Sequence, residues 1–389
     1  YAARDWREEL DMRGGISYLH SDEAGLALPI VFNEVFPSLP EPGIAASVSA
    51  VALSEGYVKE WLLDANASVL PQAEWPEKLP GATVHGERSE LVHLFKYLWK
   101  LGMARPIARR DCFHVRGKPL VNGLFAVRKK GKPMAGQQRV CRLIANLQRS
   151  NALLRSLSVA LGTLSQAPSW TSIILEDGHV LVWSGDDQSG AFHIYWLPED
   201  WHKFFVIDLE MEWRELGLDM DGTCFMALCT IPMGWSSAVA LFQYLHRRTC
   251  FGETPVGYSM PASWEWRRDA PNPQVPMSRI RQWVQFYLDD FDNPCKVLEE
   301  ELEECVGKTS AIQLIQRASY AANGIAWSVD KANQQQPVVE RMGAEIDGVA
   351  GWVSTPAGSL VMLLDLGLFV GSRGGMPLRW AQVAAGRMI

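Results

Sequence analysis

The sequence predicts a mixed α+β fold for this chain of 389 residues. Two kinds of pattern support that class. Apolar residues recur at helical spacing in Ser89 to Leu101 and in Ser236 to Arg247, whereas short apolar or alternating runs such as His179 to Trp183 and Arg281 to Phe291 are typical of strands. The composition, 48% hydrophobic and 21% charged, is that of an ordinary globular protein. The length is enough for two or three subdomains.

The cysteines and the hydropathy exclude several classes of protein. The chain has seven cysteines, an odd number, without a Cys-x-x-Cys pair, so neither a disulfide framework nor a zinc site is indicated. No signal peptide is visible, and the apolar stretch Ser359 to Gly371 is too short to cross a bilayer. We therefore expect a soluble protein of the cytoplasm or nucleus, with no membrane partner. Because the chain begins at Tyr1 rather than Met, we interpret it as a segment of a longer polypeptide.

Charge is distributed unevenly along the chain. Thirteen Lys or Arg residues and a single acid, Asp111, fall between Arg105 and Arg155, which gives that window a net charge of +12 within a chain of net charge −7. A cationic window in an otherwise acidic protein is typical of a local site for a polyphosphate, although a solvated basic face would have the same composition.

Residues 1–105 are expected to form a separate N-terminal extension of unknown role, with Pro-rich connectors at 37–42 and 71–80 and a packed helix over Ser89 to Leu101. In the basic window, the apolar runs Gly123 to Val127 and Val140 to Leu147 flank a Lys-Lys-Gly-Lys turn at 129–132. This arrangement predicts a hairpin with cations at its tip.

The second half of the chain alternates between predicted strands and helices. The strand at His179 to Trp183 leads into Asp186 and Asp187, and residues 249–276 show no period and are expected to be a loop or insertion. A helix is predicted from about Ser310 to Asn323, followed by a strand at Ile325 to Val329. A hairpin is predicted at 338–353 around Asp347-Gly348.

The residues that carry chemistry are carboxylates from two distant places. One strand ends at Asp187, and a hairpin has Asp289-Asp290 at its tip. Nucleotidyl transfer uses two metal ions about 3.5–4 Å apart, held by carboxylates, and such hard oxygen ligands suit Mg²⁺ or Mn²⁺. The pattern leaves open whether Asp186 is the ligand and Asp187 only a turn residue.

Three central segments together resemble the reverse transcriptase family. Tyr287-Leu288-Asp289-Asp290 resembles the Tyr-x-Asp-Asp turn of that family. The segment from Asp187 to Ile194 is similar to its first catalytic strand, in which Asp is followed four and five residues later by Ala and an aromatic residue. Between them, Ile231 to Ala238, continuing to Phe242-Gln243, is similar to the Leu-Pro-x-Gly segment that opens the helix beneath the incoming nucleotide.

Flanking segments extend the resemblance to roughly 120–353. Gly123 to Lys130 and Arg142 to Asn151 resemble the fingers, and Gly324 to Lys331 and Arg341 to Gly348 resemble the lysine-bearing strand and the primer-supporting hairpin. The segments are nearest to those of long-terminal-repeat and related retrotransposons.

The resemblance implies a right-hand polymerase fold in which an antiparallel palm sheet is backed by helices. It divides the chain into fingers at 106–180, a palm at 181–355 with inserted segments near 200–230 and 250–278, and the start of a thumb or connection at 356–389. Only thirty-six residues follow position 353, so an RNase H, integrase or recombinase domain is expected outside this segment.

The resemblance also implies roles for individual residues. Asp187, Asp289 and Asp290 would be the catalytic residues and would bind two Mg²⁺ ions, with Mn²⁺ as the alternative ion. Phe192 would lie under the deoxyribose and exclude a 2′-hydroxyl. Arg142 and one of Lys129, Lys130 or Lys132 would contact the triphosphate, since Arg offers a planar fork and Lys a mobile charge. Lys331 would protonate the pyrophosphate or simply sit at a strand end. The remaining candidates are Met233 and Gly234 for the nucleotide and Arg109, Arg110, Arg116, Gln243 and Tyr287 for the nucleic acid.

The function implied is RNA-directed DNA polymerisation, with dNTPs as substrates and an RNA or DNA template with its primer as partner, in a retroelement polyprotein. Two alternatives remain. An RNA-directed RNA polymerase shares the two-aspartate site, although Phe192 argues against it because ribonucleotides need that space. A domesticated, catalytically silent nucleic-acid-binding module is the alternative from another class of protein.

Overall fold

The computed structural model describes residues 27–129, 139–252, 260–270 and 282–356, together with Leu368 and Ser372. Helices and small antiparallel sheets are mixed along these residues, which confirms the α+β class. Lys130, Lys132 and nearly all of the expected thumb or connection lie outside the described residues.

Short helices and strands alternate along the chain. The helices are α1 (Phe32–Val35), α2 (Ala50–Leu53), α3 (Gly56–Leu63), α4 (Arg88–Lys100), α5 (Gln148–Asn151), α6 (Ala191–Ile194), α7 (Glu199–His202), α8 (Ala238–Phe251), α9 (Leu302–Cys305) and α10 (Ala311–Ala322). The strands are β1 (Val48–Ser49), β2 (Ala104–Ala108), β3 (His114–Val115), β4 (Lys118–Pro119), β5 (Gly123–Arg128), β6 (Cys141–Asn146), β7 (His179–Asp187), β8 (Tyr195–Trp196), β9 (Met211–Glu212), β10 (Thr223–Leu228), β11 (Gln285–Tyr287), β12 (Asp290–Leu298), β13 (Asn333–Gln336), β14 (Val338–Arg341), β15 (Ala344–Asp347) and β16 (Trp352–Ser354). Short 3-10 turns include Arg109–Asp111 and Val329–Lys331.

The sheet that positions the site has four antiparallel strands in the order β11-β12-β7-β13. Its two longest strands pair along their whole length, with Asp290 opposite Asp187 and Phe291 opposite Asp186. Because successive side chains of a strand point to opposite faces, Asp187 and Asp290 share one face, while Asp186 and Phe291 share the other.

Each face of this sheet has its own apolar cluster. On the face of Phe291, the side chains of Phe286, Phe242 and Ile312 belong to the main core, so β11, α8 and α10 pack together there. The opposite face is covered by a second cluster rich in tryptophan, whose buried members include Trp170, Trp183, Trp266 and Trp283. The rings of Trp266 and Trp283 are stacked with centroids 5.1 Å apart.

The described part of the N-terminal extension, 27–105, packs against the β5-β6 hairpin. Leu28 bridges to Ala126 and Val84 to Leu124, so this segment pairs with β5 at two places. Leu94 of α4 and Leu124 of β5 are fully buried in the same core. The sequence prediction missed this because the pairing joins residues about forty and a hundred positions apart.

Two predictions of secondary structure were wrong. The expected strand at Ile325 to Val329 is reduced to a single bridge from Trp327 to Gln188, followed by the 3-10 turn. The strand next to β7 is instead the polar run β13, which has no apolar alternation to reveal it. The single hairpin expected around Asp347-Gly348 is a three-stranded meander, β14-β15-β16.

The seven cysteines all lie in the described ranges, and none of them forms a disulfide bond. Along the described ranges, no helix is long and apolar enough to cross a bilayer.

Candidate active site

The fold brings together the aspartates that the sequence singles out. Asp187 ends β7, Asp290 begins β12 directly opposite it, and Asp289 lies in the two-residue turn between β11 and β12. The backbone joins these places, since Gln188 N donates to the Asp289 carbonyl oxygen at 3.0 Å and Ser328 N donates to that of Asp187 at 2.8 Å. Three carboxylates from two distant segments therefore meet at one end of the two central strands of the sheet.

The turn that holds Asp289 has an unusual backbone. Leu288 has a φ of 56°, in the left-handed region that β-hairpins normally reserve for Gly, Asn or Asp at this position. A residue with a branched side chain is held there only when its surroundings impose the conformation, and such strain concentrates at functional sites.

Gln243 of α8 is one of the groups that impose it. Its Oε1 accepts a hydrogen bond from Leu288 N at 3.0 Å, and its Nε2 donates to the Phe286 carbonyl oxygen at 3.1 Å. The residue is fully buried. We expected Gln243 to contact the nucleic acid. Its amide binds the peptide groups of the hairpin instead, which only the approach of α8 to the turn could reveal.

The pKa values of Asp289 and Asp290 are raised, mainly by burial and then by neighbouring carboxylates. Burial, together with the charge of Asp187, raises the pKa of Asp289 to about 6. Burial, followed by the charges of Asp292, Asp289 and Asp187, raises the pKa of Asp290 to about 7, with Arg341 acting in the opposite direction. Like charges held together in this way disfavour ionisation, and a cation bound among them would reverse the effect.

Lys331 supplies a positive charge at the same place. Its ammonium group is paired with Oδ2 of Asp187, whose side chain is 8% exposed, while the lysine side chain remains 55% exposed. Burial lowers the pKa of Lys331, but the hydrogen bond and the charge of Asp187 outweigh it, so the pKa is raised overall. Lys331 is thus protonated and lies against a candidate metal ligand.

Asp186 makes a different contact on the opposite face. Its carboxylate is fully buried and accepts two hydrogen bonds from Arg317 of α10, at 2.9 and 2.8 Å. The guanidinium satisfies both carboxylate oxygens, so Asp186 has a structural contact and lies away from Asp187, Asp289 and Asp290. Arg317 carries no signal in the sequence that would have identified it as the partner.

A second buried pair lies beside the cluster. Arg341 forms an ion pair with Asp292, in which Nε is 3.0 Å from Oδ1, and the side chains of Gln285 and Trp183 donate hydrogen bonds to the Asp292 carboxylate. The guanidinium lies against Gly185, where an added Cβ would be 2.5 Å from Nη2 of Arg341. The glycine therefore leaves room for the arginine beneath the aspartates.

The donor set fits Mg²⁺ or Mn²⁺ by its chemistry, because hard carboxylate oxygens are what these ions prefer. Nevertheless, in the ranges that the structure describes, no group of three or more His, Cys, Asp or Glu side chains is arranged to hold a metal ion. A two-ion site remains a prediction.

The segment Ile231 to Ala238 is docked on the strand β6. Gly234 has a φ of 110°, and a Cβ at this position would be 2.1 Å from the Ala145 carbonyl oxygen. Ala145 N donates to the Met233 carbonyl oxygen at 3.1 Å. Asn151, for which sequence analysis predicted no role of its own, donates to the Gly234 carbonyl oxygen and accepts from Ser236 N, both at 2.9 Å. Met233 is half-buried and Gly234 exposed.

Phe192 lies in α6, five residues after Asp187, and is half-buried. Its ring lies 4.8 Å from that of Phe242 in α8, with an angle of 30° between the planes. On the β5-β6 hairpin, Lys129 and Arg142 are both exposed. Tyr287, opposite Asp290, is 37% exposed. These side chains are accessible to a ligand.

The three arginines expected at the nucleic acid differ from one another. Arg110 and Arg109 have side chains 86% and 58% exposed, beside Asp111 and Glu210 respectively. Arg116 instead donates to the carbonyl oxygens of Pro76 and Glu77 in the N-terminal connector. It has a structural contact that the basic character of its window did not indicate.

Comparisons with known proteins give a distant likeness. No family model and no curated protein match this chain. Among solved structures, it is similar to a foamy viral protease-reverse transcriptase dRH in complex with double-stranded DNA, with a TM-score of 0.48 and 12% identity. The match covers 100% of this chain and 52% of that one, so the chain spans about half the length of that protein.

Proposed function

We propose that this chain is the polymerase part of a reverse transcriptase, which copies an RNA or DNA template into DNA by two-metal nucleotidyl transfer. The observation that carries the proposal is the convergence of Asp187, Asp289 and Asp290 at one end of the central strands of an antiparallel sheet backed by α8 and α10. In this proposal that sheet is the palm of a right-hand polymerase, the β5-β6 hairpin belongs to the fingers, and the chain is part of a retroelement polyprotein.

In the proposed reaction, Asp187 and Asp289 would hold Mg²⁺ ions, which would lower the pKa of the primer 3′-hydroxyl and bind the triphosphate. Lys331, protonated and paired with Asp187, would donate a proton or a positive charge to the leaving pyrophosphate. The exposed Lys129 and Arg142 would contact the triphosphate.

Primer extension tests this function directly. Purified protein is incubated with a primed RNA or DNA template, Mg²⁺ or Mn²⁺, and either dNTPs or NTPs. We expect extension with dNTPs on both templates, and at least a 10²-fold loss in Asp289→Asn, because removing one preorganised electrostatic contact typically costs about that much. Asp289→Asn protein that keeps more than a tenth of the wild-type extension would overturn the essential role of Asp289. Wild-type protein that binds the primer–template without extending it would favour the silent binding module.

The choice of sugar separates a DNA polymerase from an RNA polymerase. If Phe192 packs against C2′, a ribonucleotide adds one heavy atom to a dense site, at a cost of about 1–3 kcal/mol or roughly 5- to 150-fold. We expect Phe192→Val to reduce the dATP/ATP ratio of kcat/KM by that order on one primer–template. Phe113→Val is a matched control, because that half-buried ring packs on Phe204 at 4.9 Å, away from the aspartates. Equal ratios in wild type and Phe192→Val would assign Phe192 to the core alone, and a wild type that prefers ATP would indicate an RNA polymerase.

A further inference from the structure

A buried histidine, His246 of α8, contacts the turn that bears Asp289. Its Nδ1 lies 2.5 Å from the carbonyl oxygen of Leu288, the residue in the left-handed conformation. Its Nε2 lies 2.6 Å from the hydroxyl oxygen of Tyr320 in α10. Both His246 and Tyr320 are fully buried.

The contacts determine which ring nitrogen carries the proton. A carbonyl oxygen can only accept, so Nδ1 must be the donor to Leu288. Burial lowers the pKa of His246 to about 4, so the ring is neutral and its Nε2 is free of a proton. Nε2 therefore accepts from the Tyr320 hydroxyl, and the two hydrogen bonds form a directional chain from α10 through α8 to the turn.

These two hydrogen bonds of His246 complete the contacts that hold the turn. The amide of Leu288 is bound by Gln243 at 3.0 Å, its carbonyl by His246, and the carbonyl of Asp289 by Gln188 N. Since Gln243 and His246 are three residues apart, they lie on one face of α8 and bind the two sides of the same strained residue. The polar groups of Leu288 are thus fixed by side chains that belong to rigid elements.

We propose that His246, oriented by Tyr320, is a positioning residue that sets the turn so that the Asp289 carboxylate can bind a metal ion. This inference rests on the proposed function, which identifies the metal-dependent step as nucleotidyl transfer. The contact between His246 and Leu288 does not depend on that function. Groups that orient a metal ligand without touching the metal typically change affinity or activity by about 10- to 100-fold when they are removed.

The variants separate positioning from packing. His246→Leu keeps an apolar side chain of similar bulk but removes the donor to Leu288. His246→Asn keeps a donor near the place of Nδ1, and Tyr320→Phe removes only the hydroxyl. His202→Leu is the matched control, because His202 is also buried and its Nε2 lies 2.9 Å from the backbone carbonyl of Leu197, away from the turn.

The Mn²⁺ affinity of each variant is measured from the electron paramagnetic resonance of the free ion. The kcat and KM for dNTP incorporation are measured on the same proteins. Tm and the primer–template Kd serve as references. We expect His246→Leu to raise the Mn²⁺ Kd and lower kcat by about tenfold or more at unchanged primer–template Kd. His246→Asn should recover most of the loss, and His202→Leu should change only Tm.

The outcomes distinguish this inference from the proposed function. Equal Mn²⁺ affinities in His246→Leu and His202→Leu would overturn the positioning role even if the wild type is an active polymerase. If His246→Leu does not fold, a wild-type Mn²⁺ affinity in Tyr320→Phe would overturn it equally. A wild type that extends no primer, but whose Mn²⁺ affinity falls in His246→Leu, would support the positioning role and refute the polymerase. If the wild type binds no Mn²⁺, or if Asp289→Asn binds Mn²⁺ as tightly as the wild type does, the inference is overturned.

Discussion

Asp186 and Asp187 are consecutive residues of one strand, yet their carboxylates have opposite surroundings. Alternation along β7 directs Asp186 to Arg317 in the core and Asp187 to the cluster that contains Asp289, Asp290 and Lys331. The two positions therefore allow the contributions of a carboxylate to stability and to chemistry to be measured separately.

We expect Asp186→Asn to destabilise the protein by about 3–5 kcal/mol, because it leaves the guanidinium of Arg317 buried without its counter-charge. Asp187→Asn should instead abolish primer extension with a small change in Tm, since its partner Lys331 is 55% exposed and can be solvated. Chemical denaturation and extension rates check both. A reversed outcome, in which Asp187→Asn unfolds the protein and Asp186→Asn stops extension, would assign the metal to Asp186.

The raised pKa of Asp290, about 7, predicts a pH dependence of the metal-free protein. In the unfolded chain an aspartate titrates near 3.9, so the folded state holds a proton that the unfolded state has lost. This contribution to stability is fully present below about pH 4 and is lost as the pH rises through 7. Between pH 5 and 7, the Tm of the metal-free wild type should fall relative to that of Asp290→Asn, and saturating Mg²⁺ should reduce the difference. Parallel Tm curves for the two proteins would contradict the shift.

At the scale of the elements, the site depends on how two segments meet. The loop before α8 is attached to β6 through Met233, Gly234 and Asn151, and α8 in turn binds the β11-β12 turn through Gln243 and His246. A disturbance of the loop should therefore reach the turn through α8.

Gly234→Ala tests that connection. Its Cβ would meet the Ala145 carbonyl oxygen at 2.1 Å, so the loop must separate from β6, in addition to the strain of a left-handed alanine, about 1–2 kcal/mol. Gly222→Ala is the control, because Gly222 has a φ of 93° but no atom within 4 Å of an added Cβ. We expect Gly234→Ala to reduce Tm more than the control and to raise the KM for dNTPs. Equal effects of the two substitutions on Tm and KM would show that the loop is not held against β6.

At the scale of the molecule, the charge is segregated: the window from Arg105 to Arg155 is basic, and the rest of the chain is acidic. Cationic side chains that bind phosphates release counterions, so affinity for a primer–template should fall steeply with salt. Of the three arginines expected to bind phosphates of the nucleic acid, Arg109 and Arg110 remain candidates, because Arg116 is bound to the N-terminal connector.

We expect the double reversal of Arg109 and Arg110 to Glu to weaken primer–template binding and to reduce the slope of log K against log salt by about 1–2, since each phosphate that is no longer neutralised lowers the slope by about 0.9. Lys308→Glu is the control, because that side chain is 63% exposed but lies beside the acidic run. Fluorescence anisotropy across a range of salt concentrations provides the measurement. A slope that is the same in all three proteins would place the nucleic acid elsewhere.

The sequence by itself determined the elements whose pattern is local. The helices α4, α8 and α10, the β5-β6 hairpin, the strand that ends at Asp187 and the turn at Leu288-Asp289 were all predicted. Each is encoded within a few residues by apolar periodicity or by a short motif. The sequence also led us to expect Asp187 near Asp289 and Asp290, but the direct pairing of Asp187 with Asp290 across β7 and β12 is a finding of the structure.

Only the tertiary structure decided what the remaining groups do. Gln243 binds a turn 45 residues away, Arg116 binds a connector 40 residues away, and residues 27–105 share the core of β5. The strand β13 pairs through its backbone and has no apolar pattern. A polar side chain has the same composition whether it faces solvent or a buried peptide group, so its role depends on which distant segment the fold places beside it.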